Sequence, residues 1–199
     1  MGVNRAEKMG SRAGFGGLLD RLRYHEISRQ GIGLLLLPVC AWFAGPGEMR
    51  VIVGLIIALA GQVWRIYAAG VIYKNKQLAT TGAYSLVRHP LYLGNFLILG
   101  GFTLASASLG VLAVVIVFLW FYYPAAIHYE DTKLERIFGD DWRAWSKSIP
   151  AMFPTHFRWK ANTEAEWNAR QSLLRNGEFP ISIYLLLCAA LMLYRTGLV

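Results

Sequence analysis

Apolar residues fall into five runs, at about residues 28–44, 51–73, 91–107, 109–129 and 180–198, separated by short polar stretches. Crossing a hydrocarbon core of roughly 30 Å takes about 20 mostly apolar residues in a helix. The pattern therefore predicts an all-α fold, a polytopic membrane helix bundle with about five transmembrane helices. The first run is the shortest, because its uninterrupted core spans only Gly31 to Ala44, a length at which a buried or interfacial helix competes with a span. Its polar leader, together with Trp42 and Phe43, argues against a cleaved signal peptide, so the segment is expected to be retained.

The separators add detail. Ala105 to Ser108 leave room only for a tight antiparallel hairpin between the third and fourth spans, and Gly94, Gly100, Gly101 and Ala105 are expected to let its backbones approach. That hairpin brings residues 88–92 beside residues 128–131. Beyond the fourth span, Leu134, Phe138, Trp142 and Trp145 recur at helical spacing, predicting a helix that continues along the membrane interface until Pro150 and Pro154 stop it. Thr163-Glu164-Ala165-Glu166 has the form of a capping box, opening a polar helix that breaks near Asn176-Gly177 before Pro180 starts the last span.

Composition agrees with a membrane class: 55% of the 199 residues are hydrophobic, 16% are charged, and mean hydropathy is +0.38. A soluble domain of this size has too little interior for that apolar surface. Charge sets the orientation, since Lys and Arg avoid translocated loops. Arg5, Lys8, Arg12, Arg21, Arg23 and Arg29 precede the first span; Lys74, Lys76 and Arg88 lie between the second and third; eight more run from Lys133 to Arg175. The opposite loops hold Arg50 and no other cation. The N-terminus and the polar edge carrying Arg88 are thus expected on the cytoplasmic side, and the C-terminus on the other. The formal charge of +8 then suits anionic head groups; no separate basic domain points to nucleic acid, and no protein partner is indicated. Residues 1–27 read as a mobile basic segment, and 28–199 as one membrane domain with its motifs within 60–155. Cys40 and Cys188 lie in different spans without metal-ligand or disulfide spacing and read as packing residues.

Chemistry concentrates at one membrane edge. Arg88-His89-Pro90-Leu91-Tyr92 places a cation, an imidazole and a phenol around a proline suited to the first turn of a helix, whose amides are expected to offer a carboxylate site. His89 is a candidate for donating to a carboxylate or capping that helix; Arg88 for a catalytic role or for lipid phosphate. Glu130 is a candidate acid, or an ordinary charge at a helix end. Arg65 lies within the second span, where a cation is costly: it either snorkels to the head groups or holds an anionic group of substrate or cofactor, with Glu130 as a candidate partner. His128, two residues from Glu130, is off its helical face, so no metal site is signalled.

Taken together, Leu78-Ala79-Thr80-Thr81-Gly82-x-Tyr84-x-x-x-Arg88-His89-Pro90-x-Tyr92-x-Gly94, Glu130, Phe138-Gly139-x-x-Trp142-x-x-Trp145 and Ile149-Pro150-x-x-x-Pro154 resemble the isoprenylcysteine carboxyl methyltransferase and phospholipid methyltransferase superfamily. The resemblance covers about residues 60–155. It implies an integral membrane enzyme using S-adenosyl-L-methionine, with the interfacial helix and C-terminal segment covering the cofactor site. It further implies cofactor contacts from Lys76, Gln77, Leu78, Ala79, Tyr84, His89, Pro90, Leu91, Tyr92 and Glu130; the residues themselves make Arg88 and Glu130 catalytic candidates and Arg65 a substrate-binding one. Positions 142 and 145, usually Tyr in the family, are Trp here. In eukaryotic prenylcysteine enzymes the resemblance would place a carboxylate-binding Arg at position 126, which is Ala here. The acceptor is left open among an isoprenylcysteine-like carboxylate, a phospholipid amine, a thiol or another lipophilic or small molecule. A membrane reductase using NADPH, and a non-enzymatic membrane protein, are the alternatives.

Overall fold

The computed structural model describes residues 14–73, 76–155, 159–161 and 167–198. Six α-helices carry the fold: α1 (Phe15–Arg23), α2 (Glu26–Trp42), α3 (Glu48–Ala69), α4 (Pro90–Ser106), α5 (Leu109–Ser146) and α6 (Glu178–Thr196). No strand occurs among the described residues. Each expected span has its helix. By length and composition α3, α5 and α6 are long and apolar enough to cross a membrane. At 17 residues each, α2 and α4 reach about 25 Å, shorter than a full hydrocarbon core. Leu35, Ile56, Leu59, Val117, Trp120, Leu186 and Leu187 all lie exposed on the outer faces. A soluble monomer does not carry so much outward apolar surface. The protein is an integral membrane protein built as a helix bundle.

Within the basic leader, α1 forms over residues 15–23. It is tied to α5: the Arg23 guanidinium donates to the Phe121 carbonyl at 3.1 Å and lies 5.6 Å from the Phe121 ring centroid. α2 starts two residues before its apolar run because His25 caps it, accepting from the Ser28 amide at 3.2 Å. Cys40 and Cys188 are both buried and unpaired.

The small residues serve a different seam from the one expected. A Cβ on Gly54 would stand 2.5 Å from the Gly101 carbonyl oxygen, and one on Gly61 would stand 2.8 Å from that of Gly94. Gly94, Gly101 and Ala105 therefore let α4 press against α3, not α5, while a Cβ on Gly100 would meet nothing within 4 Å. A four-residue hairpin makes α4 and α5 neighbours in sequence, but it does not oblige them to be the tightest pair.

The segment 167–178, whose role the sequence did not reveal, closes the end of α3. A helix leaves its last four carbonyls without intrahelical partners. Here Ser172 Oγ donates to Ile66 O at 2.6 Å, Trp167 Nε1 to Tyr67 O at 3.1 Å and Asn176 Nδ2 to Ala69 O at 2.7 Å, while Gln171 Nε2 donates at 2.8 Å to Ile72 O just beyond the helix. The expected capping box at Thr163–Glu166 lies outside the described residues. A π-helical turn, Gln171–Arg175, leads into α6.

Candidate functional site

Two backbone features fix the site's edges. Gly82 opens a 3-10 turn over Gly82–Ser85 at φ +57°, in the left-handed region that favours glycine; its amide donates to Lys160 O at 2.7 Å. Ser85 Oγ donates to Gly82 O and accepts from the Lys160 amide. Farther along, α5 breaks at Gly139, with φ +53° and ψ −122°. That one residue lets the end of α5 turn back over the start of α4. Arg88 lies 5.9 Å from the Trp142 ring centroid and donates through Nη1 to Ser146 O and Ile149 O at 3.1 and 3.3 Å. The Arg88 and His89 amides donate to Pro150 O and Ala151 O at 2.8 and 2.9 Å. The Arg88-His89-Pro90 motif and the Ile149-Pro150 motif are thus one hydrogen-bonded unit.

Within that frame a cavity of about 380 Å³ opens, inside the usual range of small-molecule sites of about 300–1,000 Å³. Gln77, Leu78, Ala79, Tyr84, Arg88, the run His89 to Tyr92, and Glu130 all line it. Residues 40 or more apart in sequence converge, as the folded-back hairpin required, and His89 and Glu130 share one side of the bundle. Trp145, Phe138 and Leu134 supply apolar walls, while Glu26 and Arg29 reach in from α2. Lys76 lines instead an adjoining recess of about 360 Å³ that shares residues 77–79 with this cavity.

The electrostatics centre on an acid that sequence reasoning passed over. Asp131 accepts from Arg88 Nη2 at 2.9 Å and from His89 Nε2 at 2.8 Å. His89 thus makes no side-chain cap on α4, and Arg88 is turned inward. Glu130 stands 3.8 Å from Lys133. The first turn of α4 offers fewer free amides than expected: Pro90 has none, and Tyr92 and Leu93 both donate to His89 O. Tyr84 lies deep in the site, and burial pushes its phenol above the ordinary range.

Arg65 is not a cavity residue. It forms a buried, bidentate pair with Glu178 on α6, through Nη2 at 2.7 Å and Nε at 3.2 Å, and donates to Asn95 on α4. Gln62 also donates to Glu178 at 3.2 Å. Arg65, expected either to snorkel or to hold an anionic group of substrate or cofactor with Glu130 as a candidate partner, takes its counter-ion from Glu178 in the tail. An acid just before the last apolar run was the available signal for Glu178, and Asp131's adjacency to Glu130 the signal for the other.

Known proteins share much of this geometry's sequence. The family model described as phospholipid methyltransferase matches residues 49–141, just under half of the chain. The matched segment runs from α3 past the Gly139 break and includes the α4 start and Glu130. The chain is 38% identical over 102 residues to the cobalt-zinc-cadmium resistance protein CzcN of Cupriavidus metallidurans, covering 51% of this chain and 46% of that protein. It is 35% identical, with the same coverage, to the nickel-cobalt-cadmium resistance protein NccN of Alcaligenes xylosoxydans xylosoxydans. Over 96 residues it is 33% identical to the protein-S-isoprenylcysteine O-methyltransferase of Schizosaccharomyces pombe, covering 48% of this chain and 40% of that one. The matches thus span less than half the length of these relatives. No solved structure matches. The resemblance read from the motifs is met by a family-model match over most of the motif-bearing segment and by relatives named as methyltransferases.

Proposed function

We propose that the protein transfers a methyl group from S-adenosyl-L-methionine to a lipophilic or small-molecule acceptor, with the donor in the cavity between the α4 start and α5. The observation that carries this reading is the convergence of residues 77–79, Tyr84, His89 to Tyr92, Glu130 and Trp145 on one cavity inside or beside the family segment. The donor set fits the ligand: Glu130 suits an ammonium or ribose hydroxyls through charge-assisted hydrogen bonds, and Leu78, Pro90, Leu91 and Trp145 offer flat apolar surface for a purine. When bound, the sulfonium supplies an electrophilic methyl carbon; the acceptor's lone pair forms the new bond while the carbon–sulfur electrons pass to sulfur, leaving a neutral thioether.

Such an in-line displacement asks the protein for alignment and dryness. Asp131 holds Arg88 and His89 in fixed positions, and the returning arm of α5 shields the cavity from water. Positioning of this kind contributes several kcal/mol, and exclusion of water strengthens the surrounding electrostatics. No covalent enzyme intermediate is needed. The donor enters from the cytoplasm, where the N-terminus and most cations are also placed, and the acceptor comes sideways from the bilayer. Relatives named for metal resistance and for prenylcysteine methylation share this core, which is consistent with a common donor site and differing acceptors.

The test is transfer of labelled methyl from S-adenosylmethionine into a total lipid extract and into small thiol, amine and carboxylic acid panels, with Glu130→Gln as the control. Label should appear in one fraction and fall at least tenfold in the variant. No label above the control in any fraction, together with stabilisation by NADPH and not by S-adenosylhomocysteine, would turn the reading toward a reductase.

A further inference from the structure

The cations on the cavity are not equivalent. Arg88 is paired with Asp131, which also accepts from His89, and Lys133 is near Glu130. Arg29 is different. Its guanidinium lies 5.1 Å from the Tyr92 ring centroid and donates through Nη1 to the Tyr92 hydroxyl at 2.8 Å. Among the described residues no carboxylate pairs with it.

Its position is not explained by the helix that carries it. Arg29 is the fourth residue of α2, and the first turn of a helix favours anions over cations. The Tyr92 contacts orient the group without neutralising it. With Nη1 anchored, the remaining donors of the planar fork are left to meet a carboxylate in bidentate fashion. Since Tyr92 and Leu93 have given their amides to His89 O, the α4 start offers a carboxylate little.

We propose that Arg29, seated on Tyr92, binds the carboxylate at the amino-acid end of the methyl donor. This rests on the assignment of the cavity to S-adenosyl-L-methionine. It also extends the donor site to α2, which lies outside the family segment of residues 49–141.

Two probes separate the role of Arg29 from the assignment beneath it. S-adenosylhomocysteine carries the amino-acid end; 5′-methylthioadenosine has the same nucleoside and sulfur without it. Binding of each is measured by calorimetry to the full chain in detergent, as wild type, Arg29→Gln and Arg29→Lys. Loss of one charged hydrogen-bonded contact predicts that Arg29→Gln weakens S-adenosylhomocysteine by about 10–100-fold and leaves 5′-methylthioadenosine within about twofold. Arg29→Lys, which keeps the charge and loses the fork, should show a smaller but equally selective loss, and serves if the glutamine variant does not fold. Wild type binding neither probe overturns the donor assignment itself, before any variant is made. Wild type binding both, with either variant weakening the two probes equally or neither, overturns the role of Arg29 alone. So does a change confined to acceptor KM.

Discussion

Asp131 serves Arg88 and His89 at once, and its removal would leave a partly buried guanidinium without its counter-ion and the His89 ring without its acceptor. A truncated partner of this sort costs more than the hydrogen bond it made, because the remaining group keeps its desolvation penalty. Asp131→Asn keeps the shape and removes the charge. Each charge-assisted bond is worth about 1.5–3 kcal/mol, so methyl transfer should drop by roughly one to two orders of magnitude while the helical content seen by circular dichroism is unchanged. Activity equal to wild type would show that Arg88 and His89 hold their places without it. At this scale the sequence was legible where residues are adjacent. The Arg88-His89-Pro90 cluster and Glu130 were singled out from their neighbours, whereas Asp131 was not, since choosing between two adjacent acids requires knowing which face of α5 turns toward α4. Arg65 was noticed as costly, but its partner lies 113 positions away, and no local pattern links them.

Among elements, the α3–α4 seam gives the sharpest contrast. Gly100 and Gly101 are neighbours in sequence with opposite surroundings. Adding a methyl at Gly101 drives it into the α3 backbone at Gly54 and Ala58, and overpacking of this kind costs about 1–3 kcal/mol. At Gly100 the added methyl meets open space and recovers up to about 1 kcal/mol of helix propensity. Thermal unfolding in detergent should therefore show Gly101→Ala less stable than wild type and Gly100→Ala equal or more stable. Equal shifts would mean that the two helices are not in backbone contact. The helices themselves were readable from apolar runs within a few residues. Their pairing was not, because glycine spacing says that something comes close without saying which helix does. Phe138-Gly139 was noted as a motif, but a helix continuing through it was expected; only the positive φ at Gly139 reveals the break and why glycine stands there.

For the molecule as a whole, the segment matched by the family model is tied to the tail beyond it. Residues 167–178 cap the end of α3, and Glu178 neutralises Arg65 between α3, α4 and α6. Breaking a buried ion pair by removing one partner costs about 3–5 kcal/mol. Glu178→Ala should lower the unfolding temperature strongly, and Arg65→Met with Glu178→Leu should recover much of the loss, since an apolar replacement of both charges leaves neither unpaired. A double variant as unstable as the single one would show that Asn95 and Gln62, not the charge balance, set the cost. Composition and the apolar runs made the membrane class evident. The tail's task was hidden, because hydrogen bonds from scattered Ser, Trp, Gln and Asn side chains to carbonyls a hundred residues earlier leave no periodicity to read.

The glycine-lined contact between α3 and α4 has a mechanical corollary. Two rods meeting backbone to backbone, with the Arg65–Glu178 pair binding them to α6, have little slack between them. They act as a stiff anvil. Any swelling needed to admit a bulky guest must then come from the other jaw, the long α5 with its glycine elbow.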